Sequence, residues 1–282
     1  MTRAPGMATL VGMQRTAERP AVGPLLREWR QRRRISQLDL ALDAGVSARH
    51  VSFVETGRSR PSAEMVMQLS EQLDVPLRDR NALLLAAGYA PAYGQRDLDA
   101  AEMAPVRAAI DRVLRGHEPY PALVVDRHWG MVAANATIPL LTAGAAGHLL
   151  EPPVNVLRLS LHPDGLAPRI ANLGEWRAHL LDRLGRQAVA SGDPALFALH
   201  EELAEYPSGD RAPVPDLDAA EIAVPLQLRV GDATLAFIST ATSFGTAIDV
   251  TVSELSIEAF FPADEATAEA LRAAQPSSER QI

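Results

Sequence analysis

The segment from Ser36 to Gly57 is the strongest constraint on the fold, because signals that begin and end helices follow one another within a few residues. Ser36 is placed to cap a first helix, with Asp39 three residues further on, and Gly45 follows that helix. Ser47 is placed to cap a second helix, which Gly57 follows as a C′ glycine. Apolar residues between these signals form one inward-facing set: Leu40, Ala41, Ala44, Val46, Val51 and Val54. The segment therefore predicts two short helices that cross closely at a tight turn.

Three further helices are predicted around this pair, which makes residues 23–94 an all-α, five-helix domain. Residues 1–22 lack any periodicity and are predicted to be a disordered leader. Small residues, Gly and Pro between residues 86 and 94 predict a domain junction near Gly94, with a second domain over residues 95–282. The predicted helices are Leu25–Ile35, Gln37–Ala44, Ala48–Thr56, Ser62–Leu73 and Leu77–Ala87.

The charge of the chain changes sign near the same junction. Residues 1–95 contain 13 Arg and 9 acidic residues, a net charge of +4, whereas residues 96–282 have a net charge of −12. All 27 basic residues are Arg, so a Schiff-base lysine and a phosphate-loop lysine are both excluded. Because phosphates attract positive charge, the first part is predicted to bind nucleic acid and the second part is not.

Two short helices joined by a Gly-containing turn, with polar positions left outside, form the helix-turn-helix arrangement that reads DNA. The segment resembles the XRE family of helix-turn-helix regulators. The matching positions are Gln37, Leu40-Ala41, Gly45, Glu55-Thr56-Gly57 and Pro61-Ser62. The resemblance implies binding to double-stranded operator DNA, and dimerisation is expected because one short recognition helix reads only a few bases.

Several roles follow from the resemblance. Gln37 is implied to hold a DNA phosphate, and Arg30 is implied to pair with Glu55 and so fix the first helix against the second helix of the pair. Arg49 is expected to read guanine, because a guanidinium can bond its O6 and N7 atoms together. The residues implied to face base edges are Ala48, Arg49, Ser52 and Phe53.

Some basic and aromatic positions need separate treatment. Phe53 departs from the polar residue expected there, and either contacts a thymine methyl group or covers a neighbouring helix. Arg58 and Arg60 lie in the loop after the recognition helix and are predicted to contact phosphates. The basic run at residues 32–34 is interpreted as a solvated helix end rather than a specific contact.

The second domain has an α+β pattern. A helix over Pro105–Arg115 precedes two strands, Leu123–Asp126 and Met131–Ala134, and two longer helices follow them. Three antiparallel strands come next, and the last is predicted to run from Val250 to Ala259 with a bulge near Ser253. A helix over residues 264–274 is predicted to close the domain.

This domain resembles the MmyB-like ligand-binding domain. The matching segments are Pro121–Asn135, Asn155–Pro163, Thr242–Thr246, Asp249–Glu254 and Phe261–Thr267. The resemblance implies a PAS-like α+β sensor domain with an antiparallel sheet and a fatty-acyl or similarly apolar ligand. The whole chain is then an α+β protein in which the helix-turn-helix domain is followed by a PAS-like sensor domain.

Three polar residues are candidate ligand anchors in this domain. Arg158 and His162 lie one turn apart if residues 155–161 are helical, so both could meet a carboxylate. Asn135 follows the second strand, where a PAS-like helix should begin. The alternatives are that Asn135 caps that helix and that Arg158 pairs with a surface acid.

Other classes of protein have little support. The chain has no Gly-x-Ser-x-Gly elbow, His-Glu-x-x-His motif or Gly-rich phosphate loop, so an enzyme is not expected. With no Cys and seven scattered His, neither a metal site nor a cofactor is expected, apart from a bound fatty acid or similar ligand. No apolar run approaches the roughly 20 residues of a membrane helix, so the expected location is the cytoplasm, without a membrane partner.

The first hypothesis is a dimeric, DNA-binding transcription regulator that a small apolar ligand modulates. In the alternative, the second domain is a protein-interaction or dimerisation module without a ligand. A third hypothesis, a DNA-tethered enzyme, would require turnover that disappears when Arg158 or His162 is replaced.

Overall fold

The structure of the protein is a computed structural model that describes residues 21–207, 224–245 and 247–274. These residues divide into two compact units, one up to residue 92 except for 76–78, and one that comprises 76–78 and the residues from 93 onward. The division lies next to the predicted junction near Gly94. Residues 1–20 of the predicted leader lie outside the described residues, and the first helix begins at Val22.

The N-terminal part of the chain contains the five predicted helices. Ser36 and Ser47 are their N-caps where predicted, and each hydroxyl oxygen accepts a backbone N–H three residues on, from Asp39 and His50. Gly45 and Gly57 have φ of 62° and 71°, a region that favours glycine. The helices are α1 (Val22–Arg32), α2 (Gln37–Asp43), α3 (Ala48–Glu55), α4 (Ala63–Gln72) and α5 (Leu77–Ala86).

Helix α1 lies about three residues earlier than predicted. Arg34 has a φ of 57°, which ends the helical path before the predicted end at Ile35. At the other end, Gly23 allows α1 to approach α3 closely, since a Cβ at this residue would lie 2.4 Å from the carbonyl oxygen of Val54. The core between the helices contains Leu26, Trp29, Leu40, Ala41, Ala44, Val51, Val54, Val66, Leu69 and Leu73.

The second unit is an α+β domain built on a five-stranded antiparallel sheet, with the strand order β2-β1-β5-β4-β3. No helix among the described residues is both long and apolar enough to cross a lipid bilayer. In chain order the elements are α6 (Ala104–His117), β1 (Ala122–Val125), β2 (Met131–Ala134), α7 (Ile138–Thr142), α8 (Val156–Leu161), α9 (Leu173–Ser191), α10 (Pro194–Glu205), β3 (Leu226–Val230), β4 (Ala233–Ser243), α11 (Val250–Ser253), β5 (Ser256–Pro262) and α12 (Glu265–Ala274).

Both faces of the sheet are covered. On β1, Leu123 and Val125 belong to a large core cluster that also includes buried residues of α7 to α10. Ala122 and Val124 belong to a smaller cluster with Ile110 of α6. This is the alternation expected of a strand packed on both sides.

The predicted strand from Val250 to Ala259 is wrong in its first half. Val250–Ser253 is the short helix α11, and β5 begins only at Ser256. Asp249 caps the helix by accepting the backbone N–H of Thr251 at 2.9 Å. In the sequence, the alternating Val250 and Val252 resemble a strand, but the cap favours a helical turn and no bulge is needed near Ser253.

Candidate nucleic-acid interface and ligand cavity

The outward face of α3 is supported by a network centred on Glu55. Arg30 of α1 donates two hydrogen bonds to the Glu55 carboxylate, at 2.6 and 2.9 Å, and Gln37 of α2 donates a third at 2.8 Å. The side chains of Arg30 and Glu55 are only 12% and 2% exposed. Burial opposes ionisation of Glu55, but the hydrogen bonds from Arg30 and Gln37 outweigh it and lower the pKa of this carboxyl. One carboxylate thus joins the first three helices.

Gln37 therefore has a contact that its predicted phosphate role did not include. Its side-chain amide points to Glu55 with one N–H. An amide group has two N–H donors and one acceptor oxygen, so a second donor remains for a phosphate. The contact orients Gln37 at the first position of α2.

Two arginines lie against the same aromatic ring on the outward face. The guanidinium carbons of Arg49 and Arg58 are 5.1 and 5.9 Å from the centre of the half-buried Phe53 ring. Both arginines are exposed, and both distances allow a cation–π interaction. Ala48 and Ser52, the other two predicted base-facing residues, are half-buried on α3. Phe53 thus positions two cations at the predicted DNA surface.

Arg60 differs from Arg58, although both were predicted to contact phosphates. Its guanidinium donates to the carbonyl oxygen of Ala87, just after α5, at 3.0 Å and lies 5.7 Å from the ring centre of Tyr89. This contact satisfies a backbone carbonyl at a helix end. We therefore propose Arg58 as the phosphate contact and a mainly structural role for Arg60, whose phosphate contact stays a prediction.

The basic run at residues 32–34 also has contacts within the protein. Arg33 donates to the carbonyl oxygens of Leu73 and Asp74, at 2.9 and 2.8 Å, and Arg32 pairs with Glu28 one turn earlier. These contacts agree with the interpretation of the run as a helix end rather than a DNA contact.

The second unit contains a cavity between the sheet and the helices that cover it. Its volume is about 70 Å³, and its wall is mainly apolar. The apolar residues come from both layers and include Leu123, Trp129, Met131, Ile138, Leu141, Val156, Leu157, Leu159, Leu166, Trp176, Leu180, Leu226 and Phe260. The polar wall residues are Thr142, Ser160, Arg183, Ser239 and Glu258.

An ion pair forms the charged part of this wall. Arg183 of α9 donates to both carboxylate oxygens of Glu258 on β5, at 2.6 and 2.9 Å. The same guanidinium lies 4.6 Å from the centre of the Trp129 ring. Trp129 has a φ of 67°, which is unusual for a bulky residue, and its indole N–H donates to Gln187 at 2.8 Å. Unusual backbone conformations often occur at functional sites, so the conformation of Trp129 favours a functional role for this cavity.

Sequence reasoning missed Arg183 and Glu258, although a signal for the arginine exists. Arg183 follows Leu180 by three residues and Trp176 by seven, so it lies on the apolar face of α9. A charge on such a face requires a partner. The partner on β5 is 75 residues away, and its identity depends on the fold.

The three predicted ligand anchors are not among the wall residues of this cavity in the described part of the chain. Asn135 is buried, and its amide joins two segments. It donates to the carbonyl oxygens of Leu114 and Tyr120, and its oxygen accepts the N–H groups of Ala122 and Thr137. Its amide is fully used by the backbone, so its role is structural.

Arg158 and His162 lie in an outer cluster with α10. Arg158 makes a bidentate ion pair with Glu202, at 2.7 Å for both bonds, as the surface-acid alternative expected. Tyr206 donates to the same carboxylate at 2.7 Å, and burial together with this bond raises the pKa of Tyr206 to about 12. His162 packs edge-on against Tyr206, with ring centres 5.1 Å apart. The fold also brings His162 close to His148 and Asp164, whereas the sequence predicted scattered histidines.

The sequence profile of the MmyB-like transcription regulator ligand binding domain matches residues 106–274, more than half of the chain. The chain belongs to the MmyB-like transcription regulators. A helix-turn-helix profile matches residues 26–79 of this MmyB-like regulator, which covers the Glu55 network and α3. The two matches confirm the resemblances drawn from the sequence and indicate a DNA-binding transcription regulator. No curated protein matches the chain.

Proposed function

We propose that this MmyB-like regulator binds operator DNA as a dimer through α3, and that a small apolar, fatty-acyl-like molecule in the cavity changes this binding. The main support for this proposal is the outward face of α3. Arg49 and Arg58 lie there against the ring of Phe53, and the pair of Glu55 with Arg30 fixes α3 against α1. A recognition helix of eight residues reads few bases, so two half-sites are needed for a selective operator. The proposed place of action is the cytoplasm, where operator DNA lies.

The DNA-binding part is tested with Arg49→Ala on an operator selected from a random DNA library. We expect the variant to lose about 1–3 kcal/mol of affinity, because Arg49 is the proposed reader of a guanine, and to relax selectivity at one base position. Arg112→Ala removes an exposed arginine of α6 in the other unit and is the charge-matched control. Binding by Arg49→Ala with wild-type affinity and selectivity would contradict the assignment of α3.

The ligand part is supported by the chemistry of the cavity wall. Apolar side chains from the sheet and helices surround a few polar groups, the arrangement usual for small-molecule sites. Two of the five guanidinium N–H groups of Arg183 bind Glu258, so others remain for an oxygen of the ligand. We therefore propose Arg183, in place of Asn135, Arg158 and His162, as the polar contact of the ligand.

The size of the cavity favours a second candidate. Its volume of about 70 Å³ is well below the roughly 300 Å³ at which small-molecule pockets begin, so an acyl chain requires wall side chains to move. The second candidate is a protein-interaction or dimerisation module that binds no ligand.

Native mass spectrometry of the full chain, followed by denaturation, separates these two candidates. Release of an acyl compound supports the ligand, and the native mass gives the number of subunits. A ligand that controls the protein must also change operator affinity, because a molecule that binds both dimer arrangements equally shifts nothing. No released compound, together with no thermal shift on addition of fatty acids, favours the interaction module and leaves the DNA-binding proposal intact.

A further inference from the structure

His148, His162 and Asp164 form a cluster on the second unit, outside the cavity. The nitrogen and oxygen atoms they offer as ligands all lie within 4.8 Å of one another. His148 belongs to a short 3-10 turn, Gly147–Leu149, whereas His162 directly follows α8. The two segments are joined next to the cluster by a backbone hydrogen bond of 2.8 Å, from the N–H of Ala146 to the carbonyl oxygen of Asp164. We propose that these three residues bind a divalent transition-metal ion.

The donor set indicates the class of metal. Two imidazoles and one carboxylate suit Zn²⁺, Co²⁺, Ni²⁺ or Cu²⁺, whereas Mg²⁺ and Ca²⁺ prefer sites made of oxygen donors. Three protein ligands leave at least one coordination position for water or for an external ligand. Zn²⁺ is therefore a suitable first probe, with Co²⁺ as its spectroscopic substitute.

One ring nitrogen of His162 accepts a hydrogen bond beside the proposed site. The backbone N–H of Asp164 donates to Nδ1 of His162 at 3.0 Å, so Nδ1 holds a lone pair. A carboxylate oxygen of Asp164 lies 3.9 Å from the same Nδ1 atom. An ion bound to Nδ1 would displace the backbone N–H of Asp164 from this nitrogen. Metal–ligand bonds of about 2.1 Å in a tetrahedral site place donors roughly 3.4 Å apart. Movements of about 1 Å by these side chains are therefore sufficient.

The surroundings favour a cation over an anion at this cluster. The ring of His162 is flanked edge-on by His148 and Tyr206, with ring centres 5.7 and 5.1 Å away, which limits its rotation. The positive charge of Arg158 is already balanced by its bidentate pair with Glu202. The carboxylate of Asp164 is therefore not neutralised by this arginine, and it attracts a cation.

Binding would tie together two segments that lead into the wall of the cavity. Leu141 and Thr142 line the cavity shortly before the turn of His148, and Leu159 and Ser160 line it shortly before His162. An ion bound to the folded form alone stabilises it by mass action. Metal binding at this cluster requires neither the apolar ligand nor the dimer, so it can be absent while the proposed function stands.

The test is titration of the metal-free, full-length chain, without a histidine tag, with Zn²⁺ and with Co²⁺. Calorimetry measures the binding of Zn²⁺, and visible absorption measures the binding of Co²⁺. We expect one ion per chain, d–d absorption bands of coordinated Co²⁺ and a higher melting temperature with Zn²⁺. His148→Ala and His162→Ala should each lower the affinity at least about tenfold, and Asp164→Asn should lower it less.

His50→Gln in α3 removes a histidine from the other unit and is the matched control, expected to bind Zn²⁺ as the wild type does. Since His148 and Asp164 are exposed, their replacement should leave the fold intact, which circular dichroism without metal verifies. Wild-type affinity in His148→Ala and Asp164→Asn would overturn the proposal. Absence of any Zn²⁺ heat and of Co²⁺ bands in the wild type would overturn it as well.

Discussion

Arg183 and Glu258 form a bidentate ion pair in the wall of the apolar cavity, with N–O distances of 2.6 and 2.9 Å. The Glu258 side chain is 6% exposed and that of Arg183 is 26% exposed. A carboxylate with so little access to water is stable only while its partner remains, because desolvation of an unpaired charge is costly. The pair therefore joins α9 to β5 and determines which polar groups the cavity offers.

Replacement of Arg183 should destabilise the second unit strongly. We expect Arg183→Met to lower the free energy of unfolding by about 3 kcal/mol, because Glu258 would be left buried and unpaired. The double variant Arg183→Met/Glu258→Met should recover most of this loss, since it leaves no buried charge. Urea unfolding, followed through hydrogen exchange of α9 and β5, measures both effects.

Arg186→Met is the control, because Arg186 lies on the same helix and pairs with Asp182 in the open, where both side chains are more than 60% exposed. Exposed pairs contribute about 0–1 kcal/mol, so little change is expected. Equal losses in Arg183→Met and Arg186→Met would contradict the role assigned to the buried pair.

Glu55→Gln should destabilise the helix-turn-helix unit in a pH-dependent way. The pKa of Glu55 is lower in the folded protein than in the unfolded chain, because hydrogen bonds from Arg30 and Gln37 outweigh its burial. The contribution of ionised Glu55 to the free energy of unfolding is therefore complete above the unfolded pKa of about 4.3. This contribution disappears as the pH falls through the folded pKa. We expect a loss of about 3 kcal/mol at pH 7 that shrinks in acid.

Unfolding in urea at several pH values checks this, with Glu71→Gln at an exposed position of α4 as the control. The control should stay within about 0.5 kcal/mol of the wild type. A stability difference between Glu55→Gln and the wild type that grows as the pH falls would contradict this prediction.

Gly23→Ala should also destabilise the first unit. The new Cβ would lie 2.4 Å from the carbonyl oxygen of Val54 and 2.7 Å from that of Glu55, and both are backbone atoms. Overpacking costs about 1–3 kcal/mol, whereas alanine gains at most about 1 kcal/mol in a helix. We expect a net loss, measured by hydrogen exchange of α1 and α3 in urea.

Gly116→Ala in α6 is the matched helical substitution, because a Cβ there meets no atom of the described structure within 4 Å. It should leave stability unchanged or raise it by up to about 1 kcal/mol. If Gly23→Ala were equally neutral, α1 and α3 would not be in the close contact described above.

Arg58 and Arg60 should differ in DNA binding. Arg58→Ala is expected to reduce the slope of log K against log salt concentration by about 1, without a change in base preference. Arg60→Ala should leave that slope unchanged and lower stability by about 1 kcal/mol, because the Ala87 carbonyl loses its hydrogen bond. Operator titrations at several salt concentrations test the difference, and equal slopes for both variants would contradict it.

Local signals in the sequence predicted much of the fold. Caps at Ser36 and Ser47 and glycines at positions 45 and 57 place α2 and α3, because these signals act over three or four residues. Strands β1 to β4 were likewise predicted from alternation and turns. The error at Val250–Ser253 has a local cause, since β-branched residues in a short cap-initiated turn resemble a strand.

The sequence by itself determined the helix-turn-helix frame, the α+β character of the second domain and the class of protein, because caps, periodicity and motif spacing are properties of neighbouring residues. In the second domain, only the tertiary structure decided which polar groups meet. Arg183 pairs with Glu258 across 75 positions, and His148 reaches His162 through the packing of a turn against the end of α8. Such partners are chosen by the packing of elements distant in sequence, because burial requires each charge to find a partner and no local pattern specifies which one.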